Sequence, residues 1–219
     1  MPNYVRNHLK IVPKDYTKAE EIEDKLSGTD EDGQYMAFSF QSIIPMPDNI
    51  YKGDVGEKEM EMYGSDNWYD WSVEHWGTKW DAVDSCVGVN HSNGEISVTF
   101  DTAWACPEPV IEELARLYPD TLMRLEYADE DYGYNCGVIT GENGGITKQD
   151  YSDTTKGLAL ALELHDTEEY TNEIVSDHKI KIRDYNKAVK ELHKERDDFY
   201  KEVWEFQKQD KDRKTAERE

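Results

Sequence analysis

Three cysteines in 219 residues, Cys86, Cys106 and Cys136, are too few, too far apart and odd in number for a disulfide framework. No C-x-x-C or C-x-x-H pair offers zinc ligands either. Apolar runs are short: none approaches the roughly 20 residues that cross a bilayer, and the opening MPNYVRNHLKIV lacks the apolar core of a secretory leader. Basic charge is scarce. With 25 Lys and Arg against 48 Asp and Glu the formal net charge is −23, so direct nucleic-acid binding, which needs clustered Lys and Arg, is not expected. Walker, G-x-G-x-x-G, H-E-x-x-H and G-x-S-x-G motifs are all missing. The expectation is a protein of a reducing cytoplasm, away from membranes, with no catalytic residues, metal or cofactor.

The acidity is uneven. Residues 1–165 carry 32 acids and 12 bases, whereas residues 166–219 carry 16 and 13. The first part repels nucleic acid at long range, but clustered carboxylates can offer a basic protein groove the charge pattern of phosphates.

What is abundant is aromatic area. The stretch Asp66–Ala82, DNWYDWSVEHWGTKWDA, holds four of the six tryptophans, Trp68, Trp71, Trp76 and Trp80. Trp68, Trp71 and His75 share one helical face, and Gly77 marks the end of that helix. So dense a cluster is buried in a core or offered to a partner, and core packing is the ordinary use.

Around this stretch the chain reads as alternating elements. Asn3–Val12 is a first strand ending at Pro13. Thr17 caps a helix over Lys18–Leu26, with Glu20 completing a capping box. Met36–Ile44 alternates as a half-buried strand, stopped by Pro45 and Pro47, and Asp48–Ser65 is a polar insertion. Asp84–Val89 and Glu95–Asp101 form a hairpin through Asn93-Gly94. Pro107–Leu117 is an amphipathic helix, Thr121–Ala128 a strand, and two short strands flank Gly141–Gly145. The pattern predicts an α+β fold, a ferredoxin-like split β-α-β sandwich over 1–152 with an aromatic insertion, both helices on one face of an antiparallel sheet.

Residues 153–219 read as a hinge followed by a long helix. Val175, His178, Ile182, Tyr185 and Val189 step by threes and fours, and Leu192, Arg196, Phe199, Val203 and Phe206 continue the seam. This is a heptad pattern with polar residues at two seam positions. Such a stripe must meet another copy, fold back on the preceding helix, or lie on the domain. Self-association into a homodimer is the reading ranked first.

The motifs MPNYVRNHLKI, FSFQSIIPMP at 38–47, WSVEHWGTKWDA at 71–82, FDTAWACPEPVIEEL at 100–114 and LEYADEDYGYNCGVI at 125–139 resemble the YubB-like proteins of bacteriophages and conjugative plasmids. The resemblance spans about residues 1–145 and leaves the helical tail uncovered. It implies a ferredoxin-like domain in a small cytoplasmic protein of a mobile element, and it implies no catalytic residues.

Candidate sites follow from charge and aromaticity. Asp30, Glu31 and Asp32, and Asp129, Glu130 and Asp131 beside Tyr132 and Tyr134, are acidic turns expected to face a partner. Lys79 is the only Lys or Arg between Lys58 and Arg116; it can stack on a ring, pair with Asp81 or hold an anion. With Trp76, Thr78, Trp80, Asp81 and Trp104 it would line a small pocket for a nucleotide. Acid–base, nucleophilic or metal-binding sets drawn from His8, His75, His91, Asp81, Asp101, Cys86 and Cys106 would each need the fold to assemble them. The function expected is an acidic, noncatalytic phage or plasmid protein that inhibits a host nucleic-acid-binding defence protein by mimicry. The alternative is a protein that captures a small ligand.

Overall fold

A computed structural model describes residues 2–30 and 32–216. Its spine is β1 (Tyr4–Pro13), whose alternate residues Val5, Leu9 and Ile11 are fully buried on one face. α1 (Ala19–Leu26) follows, then the two-residue strands β2 (Gly28–Thr29) and β3 (Tyr35–Met36), and the short helices α2 (Glu57–Tyr63) and α3 (Trp68–His75). β4 (Val83–Asn90) and β5 (Glu95–Ala103) form the expected hairpin, with Gly94 at φ +70° in its turn. α4 (Glu108–Leu117), β6 (Thr121–Asp129), β7 (Cys136–Glu142) and β8 (Gly145–Asp150) come next. The chain closes with α5 (Thr155–Leu164), α6 (Thr171–Asp177) and α7 (Ile182–Ala216).

The main sheet has the order β4-β5-β1-β6-β7-β8, and every pair is antiparallel. β1, α1, β4, β5, α4 and β6 make the ferredoxin-like unit, with α1 and α4 over one face. β7 and β8 extend its edge. The core on that face joins Leu9, Phe100 and Leu125 to Ile22 and Leu26 of α1 and to Val110, Ile111 and Leu114 of α4. The insertion adds Phe38, Phe40, Trp71 and Trp76. Their rings meet edge-to-face at centroid distances of 4.8–6.0 Å with Phe100 and one another, an arrangement that favours aromatic pairs beyond area alone.

Two local expectations are corrected. Residues 36–44 do not form a strand: after Met36 the chain turns into a 3-10 helix at Phe40–Ser42. The carboxylate of Asp81 accepts the N–H groups of Phe40 and Gln41, which strand pairing would otherwise take. Thr17 does not cap α1. Asp15 instead caps a 3-10 turn, Tyr16–Lys18, accepting from Thr17 N, and α1 begins without a side-chain cap. Residues 153–165, read as a hinge leading into a helix, are largely α5 itself, which starts after a tight turn with Thr154 Oγ1 accepting from Gly157 N. A Cβ on Gly157 would lie 2.2 Å from Tyr151 O, so α5 can pack this close only with glycine there.

The tail corrects a larger expectation. The second face of the sheet is covered by α5 and α7. Leu158, Leu160 and Leu162 are buried with Ala128 and Val138, while Phe199 and Val203 close over Val12 and Leu122. Of the heptad seam, Val175, Tyr185, Leu192, Phe199 and Val203 are buried within this one chain, and Val189 and Phe206 pack partly buried. Ile182 is exposed. His178 lies outside α7, at the end of α6, where Lys179 turns at φ +57° and breaks the helix. The stripe that predicted a coiled-coil dimer therefore already has its cover, the chain's own sheet and α5. Among the described residues no helix is long and apolar enough to cross a membrane.

Candidate functional site

α3 sets the aromatic cluster. Its N-cap Asn67 accepts from Tyr69 N and Asp70 N, and donates to Gly64 O, fixing the direction in which the helix leaves the insertion. Trp71 turns inward and stacks on His75 at 4.3 Å. Trp76 is buried and donates through Nε1 to Ile44 O at 2.9 Å. Gly77, at φ +78°, reverses the chain where a Cβ would lie 2.8 Å from Pro109. Thr78 is buried and donates to Ala103 O, so it positions the loop and does not line the groove beside Lys79.

Lys79 emerges from this turn into a ring of aromatics. Its ammonium lies 4.6 Å from the Trp80 ring centroid, 5.1 Å from Trp104 and 5.9 Å from Tyr69. Among the described residues it has no ion pair. The alternative of a Lys79–Asp81 pair is not what forms, because Asp81 takes Ser39 Oγ at 2.8 Å and Ala82 N at 2.7 Å as well as the 3-10 helix. Burial raises the Asp81 carboxyl above its ordinary range, against the pull of these bonds. Trp104 is 44% exposed and sits at φ +70°, a backbone region unfavourable for a bulky residue. A groove of about 670 Å³ opens beside Lys79, walled by Trp68, Trp76 and Trp80, with Asp30, Asp54 and Lys52 at its edges.

The acidic turns meet this surface. Asp30 Oδ1 accepts from Asp32 N and Gln34 N, shaping the turn, and Asp30 borders the groove. Glu31 lies outside the described residues. At the other run Asp129 is buried and accepts from Asn3, Asn135 and Asp131 N. That makes it a brace of the turn, not the partner-facing acid expected. Tyr132 is half-buried, edge-on to His165 at 5.6 Å. Glu130 and Asp131 are exposed, and so is Tyr134, at 54%. Asn135 donates to Trp104 O at 2.8 Å, tying this turn to the aromatic ring. Asp30 and Trp80 thus line the groove with Lys79, and Trp104, 5.1 Å from that ammonium, is tied through Asn135 to the second acidic turn.

The suggested catalytic and metal sets are not assembled. Asp101 pairs with Arg6, and His75 packs on Trp71. His91 is exposed in the β4–β5 turn, and among the described residues no three His, Cys, Asp or Glu could hold a metal. Cys106 is buried, which pushes its thiol up to about 11, so it is no ready nucleophile. Sequence reasoning missed Tyr69 as the third ring around Lys79. It also missed a polar cluster between α7 and the sheet, signalled only by the alternation Arg6-x-His8-x-Lys10 and Arg124-x-Glu126 and by a charged seam residue, Arg196.

Comparison with known proteins places the fold and assigns no activity. No curated protein matches the chain. A crystal structure of protein api92 from Yersinia pseudotuberculosis aligns at 15% identity with a TM-score of 0.39, covering 53% of this chain and 42% of that one. The chain therefore spans less than half the length of that structure. Residues 75–175 match a family model described as a ferredoxin-like domain in Api92-like protein, a span that runs from the end of α3 through β4, β5, α4, β6, β7, β8 and α5 into α6.

Proposed function

We propose that this chain is a noncatalytic acidic binding protein that occupies the basic, nucleic-acid-binding groove of another protein. In line with the YubB-like resemblance, its setting is a phage or plasmid acting in the host cytoplasm, and the partner a host defence protein. The observation that carries the reading is the link from exposed Trp104 and the half-buried rings around Lys79 to the acidic turn at Glu130–Asp131 through the Asn135 hydrogen bond, with Asp30 bordering the same groove. Trp and Tyr supply most of the contact energy in interfaces, while clustered carboxylates steer the encounter and fix orientation. The partner-facing set becomes Asp30, Asp32, Glu130, Asp131, Tyr134 and Trp104. The exposed Met60, Met62 and Tyr63 of α2 lie in the same insertion and add adaptable apolar area. Helical-tail dimerisation is no part of this reading, since the seam is covered within one chain.

Affinity capture from bacterial lysate tests it. A bound protein should be released by raising salt from about 0.1 M to 1 M, which shortens the screening length from roughly 10 to 3 Å, and by added duplex DNA. Asp131→Lys with Glu130→Lys should weaken capture. Retention unaffected by salt, DNA and charge reversal refutes mimicry. A second reading rests on the groove itself: its tryptophan walls with Lys52 and Lys79 suit a nucleotide. A nucleotide that raises the melting temperature of the wild type but not of Lys79→Ala would favour it.

A further inference from the structure

The second face of the sheet holds a site the proposed function does not use. Where α7 crosses β1 and β6 it leaves a cleft of about 330 Å³, lined by His8, Lys10, Arg124, Arg196, Phe199 and Tyr200, with Glu126, Glu163 and Leu164 completing it. In a chain of formal charge −23, this is a place where bases converge. Register puts Lys10 directly opposite Arg124 on the neighbouring strand, and like charges facing each other across a β-pair are unfavourable unless something negative joins them.

The carboxylates present, Glu95 on Lys10 and Glu126 with Glu195 on Arg124, match these charges but leave donors unused. Glu126 is bonded by both Arg196 and Arg124, and Glu163 by Arg196, so their charge is already matched. Lys10 donates to Glu95 Oε1 and Ser97 Oγ, each at 2.7 Å, leaving one of the three ammonium protons. Arg124 donates through Nε and Nη2 to Glu126, has Glu195 3.8 Å from Nη2, and among the described residues makes no bond through Nη1. Neither ring nitrogen of His8 has a protein partner among the described residues, although burial is deep enough to push its pKa down, an effect Arg6, Arg196 and Lys10 reinforce and Glu126 opposes. A neutral imidazole, an ammonium and a guanidinium thus each keep a donor on one cleft, beside the rings of Phe199 and Tyr200.

We propose that this cleft binds a small molecule with an oxyanion head, a phosphomonoester or a carboxylate, the head against His8, Lys10 and Arg124 and a planar body against Phe199 and Tyr200. The two head groups share the recognising chemistry, and the experiment separates them.

The test is an imidazole nitrogen NMR spectrum of the full chain labelled at histidine, titrated in separate arms with phenyl phosphate, benzoate and the uncharged phenol. His8 resonances should move saturably with at least one anion by about 10 mM, as a millimolar Kd requires, while the other five histidines stay still. Which anion saturates first assigns the head group. Lys10→Gln, with its fold checked by the amide spectrum, should weaken binding about tenfold. No movement at His8, equal movement with phenol, or an unchanged Kd in Lys10→Gln overturns the proposal. If Lys10→Gln fails to fold, the contrast between anion and phenol in the wild-type protein decides alone.

Discussion

Replacing Arg196 by alanine separates a helix docked on its own sheet from one waiting for a second chain. Arg196 donates through Nε and Nη2 to Glu126 at 2.8–3.0 Å and through Nη1 to Glu163 at 2.6 Å. The Glu126 side chain is only 9% exposed, that of Arg196 28%. Removing one partner of a fully buried pair costs about 3–5 kcal/mol. Here Glu126 keeps Arg124 at 2.9 Å, and water reaches the Arg196 site in part, so the cost is about 2–3 kcal/mol, below that range. For a chain of this size it corresponds to a fall in Tm of roughly 4–12 °C.

Thermal unfolding by circular dichroism measures the shift, with Arg183→Ala as control. The Arg183–Asp184 pair is exposed at 83% and 47%, and losing it should cost under about 0.5 kcal/mol. Repeating the melts over a hundredfold range of protein concentration adds a second reading. A seam covered within one chain gives a Tm independent of concentration, whereas a seam completed by another copy gives one that rises with it. Equal shifts for the two variants, or a concentration-dependent Tm lost in Arg196→Ala, would refute intramolecular docking.

Acid should loosen α7 from its far end. A hydrogen bond from Lys214, then one from Thr17, holds the Asp15 carboxyl at about 2 against an ordinary 3.8. A depressed carboxyl stabilises above its unfolded value and loses that contribution as pH falls through its folded one, so protection of the last turns of α7 from amide exchange should decline between about pH 4 and 2. Glu126 follows the same sign: burial pushes it up, but Arg196 and then Arg124 hold it below its ordinary 4.5, and its contribution also disappears below that value. Of the three cysteines, exposed Cys86 alone should be alkylated by iodoacetamide at pH 8. Burial raises Cys106 to about 11 and Cys136 to about 12, and mass spectrometry after a native pulse checks this. Trp104→Gly should leave stability within about 1 kcal/mol, because relief of the left-handed backbone offsets the lost ring contacts. The same change should abolish partner capture; a large loss of Tm instead would make Trp104 a packing residue.

Much of this was legible in the sequence, and the larger misses have two physical causes. Strand alternation located β1, the β4–β5 hairpin and β6 because each has a face committed to the core, and the prolines and apolar spacing of 107–117 located α4. Periodicity reports that a face is apolar, however, and not what covers it. The seam through Leu192, Phe199 and Val203 is the same whether it meets a second copy or Val12 and Leu122. The discriminating residues were polar. In β6 every position from Thr121 to Asp129 is buried, including Arg124 and Glu126, and a strand covered on both faces needs a second layer over the sheet. An Arg at the heptad position that reaches such a pair, Arg196, identifies that layer as α7. Acidic turns mislead for the complementary reason. Short carboxylates next to free backbone N–H groups are captured by them, so Asp129 is buried and Asp30, though exposed, spends one carboxylate oxygen on its own turn, while Glu130, Asp131 and Asp32 stay exposed to solvent. Counting charge in a run overstates the charge it can offer a partner, and in each of these runs the acid that shapes the turn is its first.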